Sequence, residues 1–255
     1  MRVSLLVTCL VDLFTPDVGL AVVGLLRRHG VAVDFPRGQT CCGLPLYNSG
    51  YHKEAAGIAR HMILQFSGAE AVVVPSGSCA WMVRQEYPHL FADDPEMAGR
   101  ATALAQRTYE LSQFLVEILK VERVDSPFKG KVTYHDSCHL LRGLGVKDSP
   151  RKLLCACPGV ELLELPGADE CCGFGGSFAV RLPEISDGIL RQKIKNIRST
   201  GADAVVACDS GCLLQLSGGL SRRGEPVRAL HLAQVLFCQE GRVPTTPPPG
   251  PPPPG

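Results

Sequence analysis

Twelve cysteines stand in a chain of 255 residues, and eight of them form two sets with the same internal order. The first set is Cys9, the adjacent pair Cys41-Cys42, and Cys79; the second is Cys138, the pair Cys171-Cys172, and Cys212. A lone cysteine is often no more than a small buried side chain, but matched positions in two sets argue for shared chemistry. Four soft thiolates suit either zinc or an iron–sulfur cluster. Zinc sites usually draw their ligands from short Cys-x-x-Cys knuckles, and vicinal cysteines do not easily both reach one small tetrahedral ion. A cluster offers several metal atoms, so neighbouring thiolates can bind different irons. Each pair is followed by glycine, Gly43 or Gly173, and a residue without Cβ lets the backbone come close to an inorganic core. Phe174-Gly175-Gly176 extends that space in the second set. The spacing therefore predicts two iron–sulfur sites, one per set, with these eight cysteines as ligands.

An internal repeat supplies the elements that would position them. Arg2-Val3-Ser4 leads to Thr8-Cys9 as Lys131-Val132-Thr133 leads to Ser137-Cys138. Gly30-Val31 runs through Pro36 to Cys41-Cys42-Gly43, as Gly159-Val160 runs through Pro166 to Cys171-Cys172-Gly173. Gly68-Ala69-Glu70-Ala71-Val72-Val73 precedes Cys79, and Gly201-Ala202-Asp203-Ala204-Val205-Val206 precedes Cys212. Each repeat reads as β-α-β-α-β. Strands are predicted at Val3–Val7, Val31–Phe35 and Ala71–Val74, then at Val132–His135, Val160–Leu165 and Ala204–Ala207, with helices at Pro16–His29, Tyr51–Phe66, Ser149–Cys155 and Pro183–Ser199. Short apolar strands without polar alternation belong in parallel sheets covered on both faces. The expected fold is α/β: two tandem Rossmann-like repeats with parallel sheets, related by a pseudo-two-fold axis. The expected division is a first repeat at 1–93, a helical connector at 94–130, a second repeat at 131–243 and a disordered proline-rich tail at 244–255. Every ligand candidate then follows a strand, and the carboxyl ends of parallel strands line one crevice. Helix N-termini after Cys42 and Cys79 would aim N–H groups at an anionic cluster.

The remaining composition narrows the function. A formal net charge of +1 offers no basic stripe for nucleic acid. No apolar run is long enough for a transmembrane segment, and Met1–Val11 is too short for a signal peptide. A cytoplasmic location is expected, where disulfides are rare. No dinucleotide fingerprint, phosphate loop or Ser/His/Asp order appears. His135, Asp136 and His139 flank Cys138 and could tune a cluster or move protons, or His139 could cap a helix. Ser76-Gly77-Ser78 and Asp209-Ser210-Gly211 could hydrogen-bond cluster sulfurs or cap helices. Cys155, Cys157 and Cys238 have no counterparts and read as structural, and His231 reads as packing in an apolar C-terminal helix.

The doubled Cys…Cys-Cys-Gly…Cys pattern resembles the cysteine-rich CCG domain. That domain occurs in heterodisulfide reductase, in the iron–sulfur subunits of glycolate oxidase and in anaerobic glycerol-3-phosphate dehydrogenase. The sequence is most similar to the lactate utilization A family, stand-alone proteins of two CCG domains. The stretches that carry this are Val7-Thr8-Cys9-Leu10-Val11-Asp12, Gln39-Thr40-Cys41-Cys42-Gly43, Tyr47-Asn48-Ser49-Gly50-Tyr51, Pro75-Ser76-Gly77-Ser78-Cys79, Glu86-Tyr87-Pro88-His89-Leu90-Phe91 and Cys171-Cys172-Gly173-Phe174-Gly175-Gly176. The resemblance implies an iron–sulfur electron-transfer subunit in a three-protein system that oxidises L-lactate to pyruvate. Its partners would be a ferredoxin-type iron–sulfur subunit and a third subunit, its cofactors two 4Fe-4S clusters. The sequence departs from the fullest CCG pattern, which ends in Cys-x-x-Cys. Ser76 and Asp209 stand where the fifth thiols would be, with Cys208 one residue earlier. Cubane and non-cubane clusters both remain open on this count.

Overall fold

The computed structural model describes residues 1–237. Cys238 and the proline-rich stretch expected at 244–255 lie outside the described residues.

Two parallel four-stranded sheets form the frame. The first contains β1 (Arg2–Leu5), β2 (Ala32–Asp34), β3 (Val72–Val74) and β4 (Thr108–Glu110) in the order β2-β1-β3-β4. The second contains β5 (Gly130–Tyr134), β6 (Val160–Leu163), β7 (Ala204–Ala207) and β8 (Arg228–His231) in the order β6-β5-β7-β8. The alternation of side chains along each strand sends residues to two different cores. Val3 and Leu5 of β1, Val73 of β3, Val132 and Tyr134 of β5, and Val206 of β7 enter one core shared by both sheets. Val72 and Val74 face a second core in the first half. Val205 faces a third, in the second half, with Leu190 and Ile194.

The helices follow from the same patterning. Pro16–Arg28 begins on a proline, which suits a first turn because its missing N–H would be unpaired anyway. It buries Ala21, Val22, Leu25 and Leu26 in the shared core, and Gly30 with φ 73° turns the chain into β2. Pro183–Thr200 repeats the arrangement and ends at Gly201 with φ 67°.

Each sheet has one strand more than the repeat suggested. The stretch expected as a helical connector is a helix (Pro95–Gln106), then strand β4, then helical turns from Leu111 to Ile118. β4 pairs with β3 through Val72↔Thr108 and Val74↔Glu110. Leu104, Leu111 and Phe114 are all buried on both sides of it, so a strand of three residues interrupts helical spacing without changing it. The C-terminal segment differs likewise. His231 ends β8 rather than lying in a helix, and it caps Leu232–Leu236 by accepting a bond from the Ala233 amide at 3.0 Å.

Polar bonds join the halves beside the strand ends. His231 Nε2 donates to the Pro75 carbonyl (3.1 Å), and Gly77 N donates to the Cys208 carbonyl (3.2 Å). Asp209 Oδ2 accepts from Ser78 N (2.9 Å) and from Ser76 Oγ (3.2 Å). Gly77 has no room for a side chain, since a Cβ there would meet the Leu140 Cβ at 2.5 Å.

Glu110, at the end of β4, is fully buried. One carboxylate oxygen accepts from the Ser112 amide (2.8 Å), the Ser112 hydroxyl and the Gln113 amide; the other has no partner. Burial pushes this carboxyl up to about 7, against the bonds from Ser112 and Gln113, which pull it down. A raised acid binds its proton more tightly when folded, so its contribution to stability is fully present below its ordinary value of 4.5 and is lost as pH rises through about 7. At about 1.4 kcal/mol for each tenfold change in proton affinity, this amounts to roughly 3 kcal/mol. In chemical denaturation between pH 4.5 and 8, the unaltered protein should lose roughly 3 kcal/mol relative to Glu110→Gln as pH rises, whatever the other titrating groups contribute to both. An equal slope in both proteins would refute the assignment.

Candidate metal centre

The order of each sheet decides where the cysteines meet. From β1 the chain crosses to β2 on one side, then to β3 on the other, so a crevice opens outside the ends of β1 and β3. Cys9 opens the helix Cys9–Phe14 after β1, and Cys79 lies in the first turn of Gly77–Trp81 after β3. Cys41-Cys42 follow β2. The second half places Cys138, Cys171-Cys172 and Cys212 in the same way around β5, β6 and β7. All eight cysteines line one cavity of about 190 Å³. The two sets thus face a common space, a proximity that the repeat within each half does not express.

Within a set the thiols touch. Cys9 Sγ donates to Cys41 Sγ at 3.7 Å. The glycine after each pair is in the left-handed region, Gly43 at φ 88° and Gly173 at φ 89°. That turn carries the glycine N–H back onto the first sulfur of the pair, at 3.4 Å for Cys41 and 3.3 Å for Cys171. One sulfur in each pair therefore collects donors. Bonds from Cys42 and Cys9, helped by the Gly43 amide, lower the Cys41 thiol to about 3. Bonds from Cys138 and Cys172 lower Cys171 to about 2. The donors shift the other way: Cys9, Cys42, Cys138 and Cys172 are raised, each first by the bond it gives its neighbour and then by burial. Cys212 is lowered to about 6, first by Cys172 and then by His135, against burial.

Such a set can hold a single thiolate on hydrogen bonds, but it holds several only if a cation replaces the shared protons. The walls suit a metal–sulfur core in a second respect. The hydroxyls of Thr8, Ser137 and Ser210 line the cavity, are buried and have no partner. Buried polar atoms are rarely left without one, and inorganic sulfurs would accept these bonds.

The other expected residues divide. Ser76 and Asp209 cap the helices that carry Cys79 and Cys212, with Ser76 Oγ accepting from the Cys79 amide and Asp209 Oδ1 from the Gly211 amide. Asp136 forms a two-pronged pair with Arg151 (2.8 and 2.9 Å). His139 packs against Trp81 of the other half with ring centroids 4.6 Å apart and planes tilted by 42°, and burial lowers its proton affinity. His135 is fully buried beside Cys172 and Cys212. Cys155 is exposed, and buried Cys157 donates to the Leu153 carbonyl at 3.4 Å. Cys208 does not line the cavity; it is buried and accepts from the Tyr134 hydroxyl at 3.3 Å.

Two supporting residues carried no assigned role in the sequence. Gln39 fastens the loop before Cys41 to the end of β1, accepting from Val7 N (2.9 Å) and donating to Leu5 O (3.0 Å). Buried Tyr87 donates to the Cys42 carbonyl at 2.9 Å. Both stand in stretches that carry the family resemblance, but a sequence does not show which backbone group an amide or a phenol will bond.

The two glycines offer a direct test. Alanine costs about 1 kcal/mol in the left-handed region. At Gly43 a Cβ would make ordinary contact, 3.5 Å from Ala55 O, whereas at Gly173 it would be 2.6 Å from Ser186 O. Urea melts should show a loss of about 1 kcal/mol for Gly43→Ala and roughly 3 kcal/mol for Gly173→Ala, the excess being overpacking. Equal losses would mean that Ser186 yields freely.

Comparisons with known proteins agree with this architecture. Residues 3–84 and 132–217 match the family described as the cysteine-rich domain, CCG. The chain is 52% identical over 236 residues to lactate utilization protein A of Geobacillus kaustophilus, covering 92% of this chain and 98% of that one. Lactate utilization protein A of Anoxybacillus flavithermus is 51% identical over 92% of this chain and 99% of that one. The protein of the same name from a further Geobacillus strain is 50% identical over the same shares. Among solved structures, that of a hypothetical protein from Helicobacter pylori superposes with a TM-score of 0.63 at 12% identity. It covers 95% of this chain and 49% of the other, so this chain spans about half of that molecule; the likeness is one of fold alone.

Proposed function

This chain belongs to the lactate utilization protein A family and carries the cysteine-rich CCG domain twice, and from that premise we propose that it is the iron–sulfur electron-transfer subunit of a system oxidising L-lactate to pyruvate. The observation that carries the proposal is the single cavity lined by two matched sets of four cysteines. Cys9, Cys41, Cys42 and Cys79 would hold one 4Fe-4S cluster, and Cys138, Cys171, Cys172 and Cys212 a second. Bound there, such clusters take up and release single electrons. The chain's own part is to hold the thiolates, to stabilise their charge through the Gly43 and Gly173 amides, and to offer the Thr8, Ser137 and Ser210 hydroxyls as further donors.

Lactate gives up two electrons together with protons, a step usually handled by an organic cofactor. The chain carries no dinucleotide or phosphate-binding motif, so that step is assigned to partner subunits, a ferredoxin-type iron–sulfur protein and a third protein. Among the described residues no helix is long and apolar enough to cross a membrane; a cytoplasmic complex is proposed. The common cavity also favours a second reading, catalysis on a thiol substrate between the two sets, in the manner of the heterodisulfide-reductase relatives.

Three results test this. Anaerobically purified protein should be brown and should bind about eight irons with matching sulfide, two four-iron clusters; a colourless zinc protein would refute the cluster. Cys42→Ser and Cys172→Ser should each remove the iron of one half, whereas Cys155→Ala and Cys157→Ala should leave iron content unchanged. The isolated chain should not reduce a dye with L-lactate, and addition of the two partners should produce that activity. Lactate oxidation by the chain alone, or thiol–disulfide turnover by it, would favour the second reading.

A further inference from the structure

We propose that His135 is a metal donor of the second cysteine set, so that this set binds through four thiolates and one imidazole while the first binds through thiolates alone. The inference rests on the reading of the cavity as a metal–thiolate centre. Its ground is a buried side chain whose polar neighbours are sulfurs. His135 is 0% exposed, and neither Nδ1 nor Nε2 has an oxygen or nitrogen partner; the one side-chain group its ring bonds is the Cys212 thiol. The chain contains its own control in His231, also 0% exposed. There Nε2 donates to Pro75 O and Nδ1 accepts from Ala233 N, so both nitrogens are used. The buried histidine with a structural role is satisfied by backbone groups, whereas His135 has only sulfur to bind.

What His135 faces is sulfur. A ring nitrogen of His135 and the sulfurs of Cys172 and Cys212 all lie within 4.8 Å of one another. Among the described residues this is the one group of three such side chains with its donor atoms so close. Metal–sulfur bonds of about 2.3 Å and metal–nitrogen bonds of about 2.0–2.1 Å span separations of that size around one ion. The ring is also held in place: His135 N donates to the Val206 carbonyl of β7 at 2.9 Å, which ties its backbone to the strand preceding Cys212.

The first half lacks this donor. Three residues before Cys9, where His135 stands before Cys138, the chain has Leu6, packed in the apolar core with Val72 and Val74. A neutral imidazole adds a donor without adding negative charge, so the two centres differ in their donor sets and should differ in potential.

The test uses the full chain loaded anaerobically with ferrous iron and sulfide, with and without 15N-histidine. A one-electron centre has an odd number of electrons in one of its two states, so one state always gives a paramagnetic signal. Pulsed paramagnetic resonance should show a histidine-nitrogen coupling that changes with the isotope. The coupling should persist in His139→Gln and vanish in His135→Leu and in His135→Cys; the last keeps a donor and should hold its iron. Voltammetry should show two reduction steps in the unaltered chain, one of which moves to lower potential in His135→Cys. An iron-loaded chain without histidine coupling, or coupling that survives in His135→Cys, would overturn the inference and leave the metal–thiolate reading intact. A folded chain that takes up no iron would overturn both.

Discussion

Thiols held in contact cannot all ionise without a cation among them, and the rest of the structure is arranged around keeping them in contact. In each set one sulfur, Cys41 or Cys171, gathers the bonds of its neighbours and of the following glycine amide. The neighbours are driven toward the protonated state by the same bonds. A cation would reverse that sharing by supplying positive charge in place of protons. The backbone has to hold the sulfurs close in either state, which is a strong demand on loops. It is met by placing each loop at the end of a parallel strand and stiffening it, with Gln39 and Tyr87 in the first half and with the Ser186 hydroxyl donating to Gly173 O (2.8 Å) in the second.

The second constraint is the shared core. One face of each sheet packs against the other through Val3, Leu5, Val132 and Tyr134, so the halves cannot separate without exposing that core. The polar bonds from Pro75–Ser78 to Cys208, Asp209 and His231 lie at the end of the same interface, where β3 and β7 give way to their helices. Packing supplies the adhesion and these bonds supply the alignment. Trp81 against His139 closes the contact nearer the cavity. Because the two cysteine sets follow strands rooted in one core, their separation is a property of the fold and not of a flexible linker.

The sequence was most legible where residues repeat. Matched blocks around Cys9 and Cys138, and valine runs before Cys79 and Cys212, are enough to place both sets at strand ends of a parallel sheet. β4 and β8 were not legible, being only three and four residues long and embedded between helical spacings. The common cavity could not be inferred either, since a repeat describes each half and says nothing of how halves pack. Ser76 and Asp209 were visible as polar residues beside ligands, but a cap and a cluster contact look alike in sequence. For His135 the sequence showed only proximity to Cys138; that its ring meets sulfur and no oxygen or nitrogen partner is a fact of packing.

Duplication accounts for the likeness of the halves, and their differences bear on function more directly. Val7 N is bonded by the Gln39 side chain, whereas its counterpart Asp136 N is bonded by the Ala168 backbone carbonyl. Asp136 is tied to Arg151, which also pairs with Glu164, while the counterpart of Asp136 is the apolar Val7. Gly43 lies in open contact and Gly173 in a tight one. Leu6 corresponds to His135. The last three of these changes put more polar or more closely packed surroundings around the second set than around the first. Two identical centres facing one cavity would share an electron equally and give its transfer no direction. Centres in unequal surroundings would not. For the electron-transfer role proposed above, divergence of this kind after duplication would turn a symmetric pair of sites into an ordered one.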